Sequence, residues 1–182
     1  MVSVEVEVNR TTRILYEPGS MPFFVMEQLT AGIMSAFLPV SFIREEENYE
    51  GIYKIESYVP FETVKEIPLK VMMEIFCRLL QLLSDNEKHY FSGAEYQINL
   101  QTVYTDLMNH QVKLIYMPLR VPRTMKQQLK DFLMSCKSKV SETGWGYLDD
   151  MADFLMREEV GYYSTIRHGE QLQYEIAVCD IR

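Results

Sequence analysis

The chain has 182 residues, enough for one well-packed domain and too few for two independent ones. Apolar residues make up 47% and charged residues 24%, the balance of a globular protein rather than a disordered one. The net charge of −8 argues against non-specific nucleic-acid binding, which needs a basic face to displace counterions.

In chain order, Val2, Val4, Val6 and Val8 alternate with Ser3, Glu5 and Glu7, the period of a half-buried strand rather than of a signal peptide. Asn9 to Thr12 offer a turn, Arg13 to Glu17 a returning strand, and Pro18-Gly19 its end. Pro22 suits the first turn of a helix, expected to reach about Ala36 with Phe24, Leu29 and Ile33 inward. From Met21 to Ile43 the only charge is Glu27. Pro22, Gln28, Gly32 and Pro39 interrupt that stretch, and no block approaches the roughly 20 apolar residues that span a bilayer, so it reads as core.

Val40 to Arg44 and Gly51 to Val59 form an expected strand pair, turned by the acidic run Arg44-Glu45-Glu46-Glu47-Asn48. Pro68 opens the clearest helix, to about Ser84. Leu69, Met72, Ile75, Phe76, Leu79, Leu80 and Leu83 share one broad face, which places this helix at the centre. Gln97 to Tyr104 and Gln111 to Met117 read as strands, with Asp106 and Asn109 supplying turn chemistry between them. Thr124 caps a helix running to about Val140, with Met125, Leu129, Phe132, Leu133 and Cys136 inward. Gly144-Trp145-Gly146 interrupts, and a further helix runs to about Glu159. The alternation from Leu172 to Val178 predicts a terminal strand.

Charge is unevenly spread. Lys113, Arg120, Arg123, Lys126, Lys130, Lys137 and Lys139 face one acid, Asp131, over residues 113–139, so this segment carries +6 and the rest −14. Such polarity suits either a docking face for an acidic or phosphorylated partner or a solvated helix face. Cys77, Cys136 and Cys179 contain no CxxC pair, which suggests neither a disulfide framework nor a zinc site and fits a reducing, cytoplasmic compartment. His89, His110 and His168 lack ligand spacing. Ser92 beside His89 has the elements of a nucleophile and base but no third orienting residue, and a polar loop explains both. Trp145 reads either as an exposed anchor for a partner or as a plug at a helix corner. The twelve methionines, among them Met72, Met125 and Met151, fall mainly at core spacing rather than on an adaptable surface.

The element order and particular residues resemble a protein-kinase core with a shortened carboxyl half. Val112-Lys113-Leu114-Ile115-Tyr116-Met117-Pro118-Leu119 is similar to the kinase strand ending in Asp-Phe-Gly. Tyr90 to Gln97 stands where the catalytic loop His-Arg-Asp-x-x-x-x-Asn would stand, and Ile98-Asn99-Leu100 follows as its short strand. Ile52 to Pro60 resembles a hinge strand, and Glu27, Leu29, Ile33 and Leu38-Pro39-Val40 resemble the small-lobe helix and next strand. The likeness spans about residues 22 to 120. Its ending is similar to a kinase-like domain found before forkhead-associated domains in Gram-positive bacteria, and distantly to the cytosolic pseudokinase part of a type VII secretion membrane component.

That resemblance implies an α+β chain with a degenerate, truncated kinase-like fold: a small antiparallel sheet with one helix, then a helical lobe with a β-hairpin. It implies one domain over 1–182, with a small-lobe-like part to about residue 60. It also implies that the chemistry is lost. Ser92 replaces the catalytic carboxylate, Gln97 the metal-binding Asn, and Tyr116 the metal-binding Asp. No glycine precedes Pro18 to let backbone amides approach phosphates, and only Arg10 and Arg13 lie loosely in range of Glu27. The expectation is therefore a non-catalytic protein-interaction scaffold without cofactor or metal, in a bacterial signalling or secretion assembly. Partner contact is expected at Arg120, Arg123, Lys126, Lys130 and Trp145. The alternatives are a nucleotide sensor without catalysis, and an enzyme of unrelated chemistry using Ser92 or a carboxylate.

Overall fold

The computed structural model describes residues 4–7, 10–87, 95–120 and 122–179. The positions of His89 and Ser92 lie outside them. An antiparallel sheet of four strands forms first: β1 (Val4–Glu7), β2 (Thr11–Tyr16), β3 (Val40–Glu45) and β4 (Asn48–Lys54), in the order β1-β2-β4-β3. Along β2 every second residue is buried, so Thr12, Ile14 and Tyr16 share the inner face. The β3–β4 turn falls on the acidic run, with Glu46 in the left-handed region at φ 55°.

Helix α1 (Phe23–Thr30) begins after Pro22, as the sequence suggests, but stops well short of Ala36. Gly32 takes φ 66°, and its N–H bonds to the Leu29 carbonyl at 3.1 Å, a helix ending that needs the freedom of glycine. Consequently Val25, Met26 and Leu29 face the core, while Phe24 and Ile33, expected inward, are exposed. Beyond the helix, Leu38 N–H donates to the Leu114 carbonyl and Leu114 N–H to the Ala36 carbonyl, both at 2.8 Å, which ties the two halves of the chain together.

A second sheet has the order β5-β6-β7, with β5 (Val59–Pro60), β6 (Val103–Asp106) and β7 (Gln111–Leu114). Residues 97–102, expected as strand, instead form a loop. Asn99 Oδ1 accepts from the N–H groups of Gln101 and Thr102 at 2.9 and 3.0 Å, and that local turn competes with strand pairing. Asp106 Oδ1 accepts from Met108 N–H at 3.0 Å and fixes the next turn, as expected.

Helix α2 (Leu69–Glu87) is the centre, with Met72, Ile75, Phe76, Leu79 and Leu80 fully buried. Helix α3 (Met125–Cys136) starts with a capping box in which Thr124 and Gln127 satisfy each other's backbone N–H groups. Helix α4 (Trp145–Leu155) follows. The expected terminal strand is helix α5 (Tyr162–Cys179) instead. Its buried residues Thr165, Gly169, Leu172 and Ile176 recur at four, three and four, whereas Tyr174 and Val178 point to solvent. A helical stripe longer than the alternating window thus decided its structure. Gly169 lets α5 approach closely, because a Cβ there would lie 2.5 Å from Cys77 Sγ.

The stretch 21–43 supplies core, with Met21, Val25, Leu29, Met34, Phe37 and Val40 buried. No helix among the described residues is long and apolar enough to cross a membrane.

Candidate functional site

Two of the kinase-matched positions, Gln97 and Tyr116, lie close together where the first sheet faces the end of β7. Tyr116 continues from β7 and is buried, its ring centroid 6.2 Å from both Phe37 and Tyr96. Its backbone carbonyl accepts a hydrogen bond from the Tyr16 hydroxyl at 2.6 Å, and the Tyr53 hydroxyl lies 2.7 Å from that of Tyr16. Tyr16 and Tyr53 come from β2 and β4, so two phenols and the Tyr116 carbonyl bridge the sheet to the helical part.

In kinases the lysine that pairs with the small-lobe helix sits on the strand leading into that helix. Here that strand is β2. Its inward residues are Thr12, Ile14 and Tyr16, and Tyr16 reaches the position matched to the metal-binding Asp. A phenol, and no described cation, therefore reaches the position that the sequence resemblance matches to the metal-binding Asp. Neither Arg10 nor Arg13 enters the cleft: Arg10 is exposed, and Arg13 pairs with Glu50 at 3.5 Å.

Gln97 is bound into the backbone rather than offered to a ligand. Its Nε2 donates to the Pro118 carbonyl at 3.0 Å, its Oε1 accepts from Asn99 Nδ2 at 3.2 Å, and its N–H bonds to Met117 O at 2.7 Å. Gln128, buried on α3, holds the same loop from behind, accepting from Ile98 N–H at 2.9 Å and donating to Tyr96 O at 3.2 Å. Neither Gln128 nor Tyr53 stands out in the sequence. Both lie at positions where apolar residues are the rule, and a polar residue inside an inward stripe is the signal that marks them.

A cleft of about 490 Å³ opens beside this network, lined by Tyr16, Glu17, Ser20, Gln97, Met117 and Arg120. A second of about 270 Å³ continues it along Gln97, Leu119 and Arg120 to Arg123 and Ser135. Glu27, matched to the small-lobe helix carboxylate, lines neither. It is exposed on α1 and faces a separate groove with Phe23, Met26 and Phe42, because Val25, Met26 and Leu29 take the inward positions.

The basic segment is largely committed to internal partners. Lys113 Nζ donates to Ser35 O, Lys126 to Arg157 O at 2.6 Å, and Lys137 pairs with Asp149 at 2.5 Å. Arg123 pairs with Asp131 at 2.7 Å, and Arg120 lies 3.9 Å from Glu17. Lys130 is half-buried on α3. Lys139 is buried, its ammonium donating to the carbonyls of Glu62 and Val64 at 2.9 and 2.6 Å. Arg120 and Arg123 are thus brought together along the cleft, while Trp145 is set apart, past the far end of α3. Its indole N–H donates to Lys137 O at 2.9 Å with the ring partly exposed. Among the described residues, no group of three His, Cys, Asp or Glu is placed to hold a metal. The buried thiols of Cys77 and Cys136 are free, and burial pushes them up to about 11 and about 12.

Burial also raises the phenols of Tyr16, Tyr53 and Tyr116 above their ordinary value of 10.0, Tyr116 to about 12. A phenol with a raised folded-state pKa binds its proton more tightly folded than unfolded. Its contribution to stability is therefore complete below pH 10 and lost as pH rises through the folded-state value. The raised thiols of Cys77 and Cys136 act in the same direction from their ordinary 9.0, so the melting temperature should stay level from neutral pH to about 8.5 and fall across about 9–12. Tyr16→Phe should cost about 1–3 kcal/mol at pH 7, by removing two buried hydrogen bonds, and make the alkaline fall shallower. Circular dichroism melts across that range check both.

No family model matches the sequence, and no curated protein matches it. Solved structures do match it, two of which align over most of the chain. The cytoplasmic fragment of EssB from Geobacillus thermodenitrificans aligns with a TM-score of 0.58 at 9% identity, over 97% of this chain and 90% of that one. A divergent kinase lacking the glycine-rich loop, which regulates membrane ultrastructure of the Toxoplasma parasitophorous vacuole, aligns with a TM-score of 0.57 at 11% identity. That match covers 90% of this chain and 71% of the other. The chain thus has a truncated, kinase-like α+β fold, similar to that of the EssB fragment. At these identities the likeness is one of fold.

Proposed function

We propose that this chain is a non-catalytic kinase-like domain that docks other proteins in the cytosol, in a bacterial signalling or secretion assembly. The observation that carries this reading is the tyrosine bridge. Where phosphoryl transfer needs a lysine and two metal ligands, the chain puts Tyr16, Tyr116 and an internally bonded Gln97. The whole of residues 1–182 acts as one unit, with the sheet and α1 as its small lobe.

The partner face is the continuous cleft from Tyr16 to Ser135, with Arg120 and Arg123 at its middle and Lys126 and Lys130 in the first and second turns of α3. Arg120 and Arg123 keep exposed guanidinium groups beside weak surface pairs, which an acidic or phosphorylated segment displaces at little cost. Trp145 offers a second contact beyond the end of α3. Arg120→Glu with Arg123→Glu is expected to leave the melting temperature within a degree or two, yet weaken capture of the partner from lysate, most strongly at low salt. Recovery of the same proteins by the reversed domain would show that the basic stretch is only a solvated face.

One observation favours a second reading, a nucleotide sensor. The 490 Å³ cleft is within the usual size of small-molecule sites and lies at the matched positions.

A further inference from the structure

A cavity of about 480 Å³ lies between the end of α1, the start of β3, the end of β4 and β7, and shares no lining residue with the two clefts. Local sequence builds it. Helix α1 stops where Gly32 takes φ 66°, so residues 31–39 cross to β7 outside any helix and leave a hollow. The buried side chains of Leu29, Met34, Phe37 and Leu38 form its apolar floor. Opposite, Tyr58 N–H closes a turn on the Ile55 carbonyl at 2.6 Å with Glu56 at φ 42°, and that turn holds Glu56 and Tyr58 on the lining.

The rest of the lining is polar and largely uncommitted. Lys54 and the hydroxyls of Thr30, Ser41 and Tyr58 face the cavity, and none of these four side chains has a hydrogen-bond or ion-pair partner among the described residues. Lys113 reaches in from β7. It spends one ammonium N–H on the Ser35 carbonyl and keeps two. It is also half-buried, and desolvation holds it below its ordinary 10.5. Glu56 is the one carboxylate on the lining and pairs with neither lysine. Two ammonium groups therefore face one carboxylate, in a chain whose net charge is −8.

We infer that this cavity binds a small phosphorylated polyol, its phosphate held by Lys54 and Lys113, its hydroxyls by Thr30, Ser41 and Tyr58, and its carbon chain by the apolar floor. Lysine serves phosphate as a mobile point charge. A protein hydroxyl both donates and accepts, which is what a ligand hydroxyl needs in return. The volume is within the usual range of small-molecule sites. The site stands apart from the partner face at Arg120 and Arg123 and does not rest on it.

The test is amide NMR of the full chain with glycerol 3-phosphate, glycerol and inorganic phosphate. Saturable shifts across residues 29–41, 54–58 and 111–114 are expected with the ester, weaker ones with phosphate and none with glycerol. Lys54→Glu should weaken binding about tenfold or more at an unchanged melting temperature, since Lys54 is exposed and unpartnered. Lys54→Arg should retain most of the affinity, and Tyr58→Phe should lose about threefold. Arg120→Glu should bind undiminished, which separates this site from the partner face. Vesicles with and without phosphatidylglycerol distinguish the two sources of this chemistry. Perturbation of the same residues by the anionic vesicles assigns the ester to a lipid headgroup, and binding of the free ester alone assigns it to a soluble molecule. Equal binding by Lys54→Glu, shifts centred on Arg120 and Arg123, or no saturable shift with the ester or the vesicles would overturn the inference. So would an Asp- and Glu-rich peptide that occupies these residues more tightly than the ester.

Discussion

Leu79→Ala is expected to destabilise the protein by about 2–5 kcal/mol, because it empties a site with no route to solvent. Leu79 is fully buried at the middle of α2, which α5 covers on one side and β7 approaches on the other. Phe76, one turn earlier on the same helix, stacks on Phe132 with ring centroids 6.5 Å apart, part of a close-packed core that relaxes only partly around a void. For a chain of this length the loss corresponds to roughly 5–15 °C in melting temperature. Leu82 on the same helix is only partly buried and should cost clearly less when truncated. A Leu79→Ala protein that melts within a degree of wild type would show that α2 is not the centre of the fold.

The second large effect is expected at Lys139. Its ammonium donates to the carbonyls of Glu62 and Val64, and its own carbonyl accepts from Ile67 N–H at 2.9 Å. It therefore ties the end of α3 to the segment that leads into α2. Lys139→Met keeps the apolar stem but strands two carbonyls that face inward, at a cost of about 2–4 kcal/mol. Lys130→Met, on the same helical run but half-buried and without a described partner, should stay within about 0.5 kcal/mol. Urea denaturation of both checks the difference. Equal midpoints would mean that Lys139 belongs to the solvated face after all.

Lys139 also shows where sequence reading reaches its limit. A lysine in a basic run is indistinguishable, in one sequence, from its exposed neighbours, and only tertiary packing places it under residues 61–67. The same holds for Glu27, which matches a kinase carboxylate by position yet turns outward because Val25, Met26 and Leu29 take the inward face of α1. By contrast, α2 was legible throughout, since seven apolar residues at helical spacing leave one answer. The hairpin around Asp106 was legible for a local reason, its side chain closing its own turn. The segment from Leu172 to Val178 misled because a helical stripe with intervening Tyr174 and Val178 alternates over a short window. Of the site, Gln97 and Tyr116 could be singled out by resemblance alone. The hydroxyls of Tyr16 and Tyr53 could not, because β2 and β4 pair Tyr16 with Tyr49 and Tyr53 with Thr12, and the two rings meet only by reaching over Gly51.

The most direct test of the central claim is a calorimetric titration of the full chain with ATP and magnesium, paired with a phosphate-transfer assay. A ligand that binds only the folded state must also raise the melting temperature, which gives an independent readout. The tyrosine-bridged cleft predicts no magnesium-dependent heat, no rise in melting temperature and no transfer of phosphate. Magnesium-dependent binding with transfer, lost on substitution of Tyr116 or Gln97, would contradict it. Binding without transfer would instead select the nucleotide sensor.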